Sequence, residues 1–277
     1  MQKYYLLFLT AAAILIGCNG HNTPHATQSV TFNVSTFSQS TEQMHAPAAT
    51  ILDDEGGTDL TDLYVFDGTT QLIHQTNDAD DFGTVTLNLS HGNHTLSFVM
   101  TRSIGTNFAS GLLTFSSVRS TFGTIASVNV TGSTGSQDIT LDRISGQMIV
   151  TIEDAFPANA DEIEFVIDPR YTQLDITTLK AVNGSPFTQR LSCTSKVGLS
   201  DVQYTFTHIC PSLIGETTAD VTINVYDNSN NQIAGVNIKD VRMAANTKTI
   251  LTGKLFVTPV STIKPNTSWN ASISQSW

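Results

Sequence analysis

The chain has 277 residues, of which 24 are acidic and 13 are basic, so its formal net charge is −11 at pH 7. No basic cluster offsets this acidic excess, which would repel a phosphate backbone and argues against nucleic acid as a partner. Charged residues make up only 13% of the sequence. Strands rich in β-branched residues and polar turns are typical of an extracytoplasmic all-β protein.

The first element in chain order is a signal-like segment. Lys3 precedes an apolar run over 4–16, which is shorter than the ~20 residues of a membrane-spanning helix but suits a secretory hydrophobic region. The run ends in Leu-Ile-Gly-Cys, which fits the bacterial lipoprotein box, with the small Gly17 beside the scissile bond. The sequence therefore predicts a signal peptide over 1–17 and lipidation of the Cys18 thiol. An ordinary cleaved signal peptide, in which Cys18 is incidental, is the alternative.

A lipidated Cys18 would hold the mature chain at a membrane surface, because lipid chains contribute ~0.8 kcal/mol per buried methylene. Asn19 stands where the enterobacterial rule for inner-membrane retention requires Asp, so we expect the outer membrane. No second long apolar run follows, which predicts a protein that is anchored to a membrane and does not span it. Residues 18–28 read as a polar tether.

Residues 29–143 are predicted to form a first β-sandwich. Apolar and polar residues alternate over 30–34, and Asp67-Gly68 predicts a tight hairpin turn between two apolar strands. A second hairpin follows around Ser-His-Gly-Asn. Between 103 and 124 the pattern weakens and allows either a short helix or a strand, before alternation returns up to Arg143.

Residues 144–277 are predicted to form a second β-sandwich, because alternation starts again after Ile144. The predicted strands lie in 147–156, 162–168, 202–210, 219–227, 235–243, 248–257 and 268–277. Nothing reads as a long amphipathic helix. The predicted fold class is all-β, with two tandem β-sandwich domains.

Two cysteines, Cys193 and Cys210, remain after Cys18. Because an oxidising compartment permits a disulfide, the sequence predicts a bridge between them. It would close a loop of about 17 residues and stabilise the fold by roughly 3 kcal/mol. Two buried free thiols are the alternative.

Two patterns could hold a metal ion. His91 and His94 are three residues apart, but they lie at a predicted hairpin turn without a further ligand nearby. Asp78, Asp80 and Asp81 loosely resemble a calcium loop that lacks its downstream Glu. We interpret both patterns as solvated turns and predict no metal site and no cofactor.

The sequence carries no recognisable catalytic motif. It has no Gly-x-Ser-x-Gly elbow, no phosphate-binding loop and no dinucleotide fingerprint. His208 lies two residues from Cys210, but on one strand this spacing favours a structural pair. We predict no catalytic residue.

Four segments carry a family resemblance. They are the lipobox at Cys18, the stretch LTDLYVFDGTTQLIHQ, the stretch LDRISGQMIVTIEDAFPANADEIEFVI, and NTKTILTGKLF near the C-terminus. Together and in this order they resemble the fimbrillin and fimbrial-anchor lipoproteins of the Bacteroidetes type, the subunits of type V pili. The resemblance implies two transthyretin-like sandwiches, a structural or adhesive role, and assembly with other fimbrial subunits by β-strand exchange. A host or bacterial surface ligand is a further implied partner.

In shaft subunits of this family, an Arg- or Lys-specific protease removes the N-terminal strand. Here no Lys or Arg lies between Cys18 and Arg102, so such a protease has no site at which to release the first strand from its lipid. We therefore expect an anchor or accessory subunit that keeps its tether. The alternative is a glycan-binding surface lipoprotein, for which Trp269 and Trp277 are candidate aromatic contacts, although their position in the last predicted strand favours a core or strand-exchange role.

Overall fold

A computed structural model describes residues 26–36, 60–133, 135–212, 215–256 and 272–276. Within these ranges the protein is all-β, as predicted: it has 19 strands, one short 3₁₀ helix and no α-helix. No helix in this part of the chain is long and apolar enough to cross a membrane.

Nine of the strands precede Ile144. They are β1 (Thr27–Thr36), β2 (Asp62–Asp67), β3 (Thr70–Thr76), β4 (Thr84–Ser90), β5 (Gly92–Thr101), β6 (Asn107–Ala109), β7 (Leu112–Thr114), β8 (Thr121–Val130) and β9 (Gln137–Arg143). The turn between β2 and β3 contains Gly68 at φ +55°, which confirms the first predicted hairpin. The second predicted hairpin is wrong, because β4 pairs with β1, whereas β5 pairs with β2 and β8.

The other ten strands follow Ile144. They are β10 (Ser145–Ile152), β11 (Glu162–Arg170), β12 (Gln173–Asp175), β13 (Lys180–Val182), β14 (Ser185–Ser192), β15 (Val202–Ile209), β16 (Thr217–Tyr226), β17 (Gln232–Met243), β18 (Lys248–Gly253) and β19 (Ser272–Ser276). The 3₁₀ helix, Thr194–Lys196, lies between β14 and β15.

Seven of the first nine strands form a sheet in the order β3-β2-β5-β8-β9-β1-β4. β8 and β9 share only two residue pairs, so the sheet turns at this corner into two layers. Apolar side chains of both layers pack in one core, where the rings of Phe32 and Phe98 lie 5.4 Å apart. This arrangement is a β-sandwich.

A second sandwich follows. The sheet β15-β10-β18-β19 faces the sheet β14-β11-β16-β17, and alternate side chains from both sheets form the core between them. The ring of Phe165 on β11 lies 4.9 Å from the rings of Tyr204 and Phe206 on β15. Two facing sheets are thus held together by aromatic contacts.

A fourth sheet joins the two halves of the chain. Its order is β13-β12-β7-β6, so β7 from the first half pairs with β12 from the second. A third apolar cluster, which includes Phe66, Phe115, Leu174 and Ile209, lies against this joint. β9 ends at Arg143 and β10 begins at Ser145, which is close to the predicted boundary, although the division into two domains there stays a prediction.

Candidate functional site

The candidate site is built on β1, the strand that follows the predicted lipid tether. Val30, Phe32 and Val34 alternate with polar residues, so one face of the strand is apolar. All three side chains are buried, and Phe32 has no exposed surface. β1 is therefore a core strand of the first sandwich.

β1 lies inside its sheet and is hydrogen-bonded on both edges. It pairs antiparallel with β4 over seven residue pairs and parallel with β9 over five. On the outer face, Asn33 Nδ2 donates to Asp138 Oδ1 at 2.8 Å and to Ser136 Oγ at 3.1 Å, which adds side-chain bonds to the contact with the β9 side. Loss of β1 would open two sheet edges and empty part of the core.

The predicted tether leads directly into this strand. β1 begins at Thr27, within the predicted tether 18–28. The signal peptide 1–17 and Cys18 lie outside the described residues, and their processing and lipidation stay predictions.

The first basic residue after the predicted cleavage point is Arg102, which directly follows β5. β1 to β5 therefore contain no Lys or Arg. Further along, Arg143 Nη1 donates to Ser120 Oγ at 2.7 Å, and its guanidinium lies 4.5 Å from the centre of the Phe122 ring. The three residues are located where β8 and β9 meet, so this arginine serves the fold.

His94 lies in a spatial group that resembles a Ser-His-Asp triad. Its Nδ1 is 2.6 Å from Asp67 Oδ2, and its Nε2 is 3.3 Å from Ser90 Oγ. Nε2 is nearer, at 2.9 Å, to the Ser90 carbonyl oxygen, which can only accept a hydrogen bond. Both ring nitrogens are thus placed to donate, and these bonds, chiefly the one to Asp67, raise the pKa of His94. A ring that donates at Nε2 does not take a proton from Ser90, so the group braces the fold and is not arranged as a general base.

The two turns that were predicted to be solvated differ in the contacts of their side chains. His91 lies exposed between β4 and β5, while His94 is held by Asp67 as described. In the acidic turn between β3 and β4, Asp78 accepts a hydrogen bond from Thr76. Among the described residues, no three His, Cys, Asp or Glu side chains are grouped as metal ligands.

Cys193 and Cys210 are buried free thiols, so the predicted disulfide is not formed in the structure. Cys193 packs in the core of the second sandwich, and its backbone N–H donates to the Asp161 carbonyl at 2.8 Å, just before β11. Cys210 directly follows β15, and its backbone N–H donates to the Ile144 carbonyl at 3.3 Å, just before β10. Burial raises the pKa of both thiols.

A buried basic pair, Arg170 and His208, was not predicted from the sequence as a site. Arg170 Nη2 donates to the Thr207 carbonyl at 3.0 Å, and burial lowers the pKa of Arg170 to about 10. Burial also lowers the pKa of His208 to about 4, with the charge of Arg170 as a second cause. Gly146 makes room for the imidazole, because a Cβ at that position would lie 2.8 Å from His208 Nε2. The sequence signal that could have identified this pair is the polar residue His208 at an inward-facing position of the apolar strand β15.

The described surface offers little support for a glycan platform. Its exposed large apolar side chains are aliphatic: Leu72, Ile104, Ile125, Val197 and Leu199. Tyr226 is partly buried, with the Arg190 guanidinium 4.3 Å from its ring centre. Trp269 and Trp277, the candidate aromatic contacts, lie outside the residues whose side chains the structure describes.

No protein-family model and no curated protein sequence matches this chain. Its fold is similar to that of a candidate adhesin from Bacteroides ovatus, with a TM-score of 0.53 and 11% identity over 82% of this chain and 88% of that protein. Weaker similarity, at a TM-score of 0.42, relates it to the fimbrial anchor protein of Porphyromonas gingivalis, with 12% identity over 77% of this chain and 83% of that one. At these identities the likeness concerns the fold alone.

Proposed function

We propose that this chain is a non-catalytic lipoprotein of the cell envelope that serves as an anchor or accessory subunit of a fimbria. Lipid on Cys18 would hold it in the outer membrane, and it would act in cell adhesion and fimbria assembly. Its partners would be other fimbrial subunits, bound by β-strand exchange, and a ligand on a host or bacterial surface. The transthyretin-like topology of the two sandwiches belongs to the same proposal.

The observation that carries the proposal is the position of β1 in a basic-free segment. The 83 residues from Asn19 to Thr101 contain no Lys or Arg and include all of β1 to β5. An Arg- or Lys-specific protease therefore has no site between the predicted lipid and the buried strand. A chain that keeps both its lipid and β1 is suited to remain at the membrane as the base of an assembly.

The fold is compatible with this role. The Bacteroides ovatus protein of similar fold is a candidate adhesin, and the similarity covers 82% of this chain. An all-β surface protein with exposed strand edges can bind a partner through main-chain hydrogen bonds. The acidic charge supports an extracellular protein-protein role over binding to nucleic acid.

The first test is the intact mass of the protein extracted from its native cell envelope. We expect the mass of residues 18–277 plus the acyl groups of a triacylated cysteine. A Cys18→Ala variant should lack these groups and leave the membrane fraction. A shorter, unlipidated mass that begins after β1 would contradict the anchor proposal and indicate a polymerising subunit cut by another protease.

A second variant tests the basic-free segment itself. Gln43→Arg places one Arg between β1 and β2, where cleavage would separate the lipidated strand from the rest of the chain. In cells that make an Arg-specific surface protease, we expect this variant to be cut after residue 43, which denaturing electrophoresis and mass spectrometry detect, while the matched Gln43→Asn variant keeps its full mass. Equal processing of both variants would show that the absence of Lys and Arg from this segment does not protect the tether from cleavage.

A further inference from the structure

The parallel strand pairs of this chain involve the first and last strands of each sandwich. Three ladders among the described strands are parallel, β1–β9, β10–β18 and β18–β19, and the other ladders are antiparallel. In the first sandwich the parallel pair joins the first strand, β1, to the last, β9. In the second, β10 is the first strand, and it pairs with β18, which itself pairs with the last strand, β19.

Parallel pairing of first and last strands determines how a pull on the chain loads each sandwich. A force at the N-terminus draws β1 towards Thr27, and the resisting force draws β9 towards Arg143. Because the two strands run in the same direction, these forces are opposed along one axis. All hydrogen bonds of the ladder are then sheared together and do not open one after another.

The first ladder is well built to resist such shear. Its five backbone pairs extend from Phe32↔Gln137 to Thr36↔Leu141. Phe32 and Val34 are buried in the core, so sliding of β1 would drag both through packed apolar surface. Asn33, bonded to Asp138, adds a side-chain link within the same ladder.

The second sandwich repeats the geometry at the other end of the chain. β10 and β18 share six parallel pairs. A pull on the C-terminus enters through β19, and the β18–β19 ladder passes it to β18 in the direction that shears these six pairs. The chain beyond β18 is also bound, because Asp154 accepts hydrogen bonds from the backbone N–H groups of Leu255 at 3.0 Å and Phe256 at 2.7 Å. β19 adds five further parallel pairs on the outer side of β18.

The load passes between the two ladders through a short, buried connection. Only Ile144 separates β9 from β10, and it is 1% exposed. Its N–H donates to the Thr121 carbonyl at 3.0 Å, and its own carbonyl accepts from Cys210 N–H at 3.3 Å. The fourth sheet ties β7 to β12 beside this connection.

We propose that this chain is a load-bearing element in which the β1–β9 and β10–β18 ladders act as two mechanical clamps in series. The proposal rests on the proposed function in one respect, since the load would enter through the tether at Cys18. The clamps themselves are a property of the fold. They resist a pull between the two ends of the chain and not a pull in other directions.

The test is single-molecule force spectroscopy on residues 18–277 produced without the signal peptide, so that Cys18 is not lipidated and keeps its thiol, with two pulling geometries. In the first, one handle is attached to the Cys18 thiol and the other to a C-terminal tag, which shears the clamps. In the second, handles are attached to Cys18 and to His91→Cys, beside the end of β4. Because Thr27 pairs with Ser90, this pull peels β1 from β4 one pair at a time.

We expect the peak unfolding force to be higher in the first geometry, because five pairs break together there and the pairs of the second geometry open one at a time. Asn33→Ala, which removes a link across the clamp, should lower the peak force in that geometry. Thr31→Val is the matched control, because Thr31 contacts Thr86 on β4 and not β9. Its effect on the end-to-end force should be smaller than that of Asn33→Ala.

Equal forces in the two geometries would overturn the clamp proposal and leave the anchor proposal intact. Conversely, a high end-to-end force in a protein that carries no lipid in its native envelope would support the clamps and contradict the anchor. If Asn33→Ala and Thr31→Val lower the force equally, the resistance does not come from the β1–β9 ladder. Each result therefore separates the two proposals.

Discussion

The two sandwiches hold their terminal strands in different ways. β1, the first strand of the N-terminal sandwich, lies inside its sheet between β9 and β4, whereas β19, the last strand of the C-terminal sandwich, is bonded among the described strands to β18 alone, at an edge. Removal of an internal strand breaks two ladders, while removal of an edge strand breaks one. The N-terminal strand is therefore part of the core, and the C-terminal strand is an addition to a sheet that is already formed.

The sandwiches also differ in the ionisable groups that they bury. β1 to β5 contain no Lys or Arg, and His94 reaches a carboxylate, Asp67, near the surface. The C-terminal half buries Arg170, His208 and both free thiols. A lower pH should therefore destabilise the C-terminal half through His208 and stabilise the N-terminal half through His94.

The largest effect is expected from Phe32→Ala. The side chain is fully buried in β1 against Phe98, so its loss leaves a cavity and should lower the free energy of unfolding by about 3–5 kcal/mol. Urea denaturation followed by circular dichroism measures this change. Ser29→Ala, at an exposed position of the same strand, is the control and should change little.

Truncation after residue 271 belongs to this first prediction and sharpens the same comparison. Without β19, the C-terminal sandwich loses one edge ladder of five pairs and keeps β18 paired with β10. We expect a smaller loss of stability than for Phe32→Ala. An equal or larger loss would show that the last strand is as integral to its sandwich as the first.

The second prediction concerns acid and His208. Its folded-state pKa, about 4, lies below the unfolded value of 6.5, so the unfolded chain binds a proton first. The contribution of the neutral ring is present above pH 6.5 and is lost as the pH falls towards 4, by about 3 kcal/mol. His208→Leu should flatten the pH dependence of the urea midpoint over this interval. If the midpoint of the variant falls as steeply as that of the wild type, another group causes the acid sensitivity.

Much of the fold could be predicted because strand alternation is a local property. The predicted strands correspond to β1 to β5, β8 to β11 and β15 to β19, and the weak region after Ser103 contains the two short strands β6 and β7. Of the two possibilities for that region, the strand is confirmed. The short strands are stabilised by partners from the other half of the chain, so the local sequence left helix and strand open.

The missed elements have the same physical explanation. β12 and β13 have three residues each, too few for a period to be recognised, and β14 contains Pro186 and only partly buried apolar side chains. The disulfide and the parallel pairing of β1 with β9 both depend on distances between residues far apart in the chain. Sequence spacing gives no such distance, and so Cys193 and Cys210 were paired wrongly for this structure.

The third prediction concerns Asp154, which holds the chain after β18. Asp154→Ala removes the acceptor for two backbone N–H groups, those of Leu255 and Phe256. Hydrogen bonds to a charged group contribute about 1.5–3 kcal/mol, so a loss of this size is expected in urea denaturation. Glu153→Ala changes an exposed carboxylate next to it and is the control. Equal effects of both variants would indicate a general charge effect and not a latch on the last strands.

The smallest expected effect belongs to His94, and its sign is opposite to that of His208. The bond to Asp67 raises the pKa of His94 above its unfolded value of 6.5, so the charged ring stabilises the folded state. This contribution is complete below pH 6.5 and is lost as the pH rises through the folded pKa. The difference in urea midpoint between wild type and His94→Gln should therefore be largest at pH 5 and shrink towards pH 9. A difference that grows with pH would contradict this prediction, because it would mean that the ring acts as a neutral hydrogen-bond acceptor. Nε2 could then accept the proton of Ser90 Oγ, and the group would be arranged as a general base.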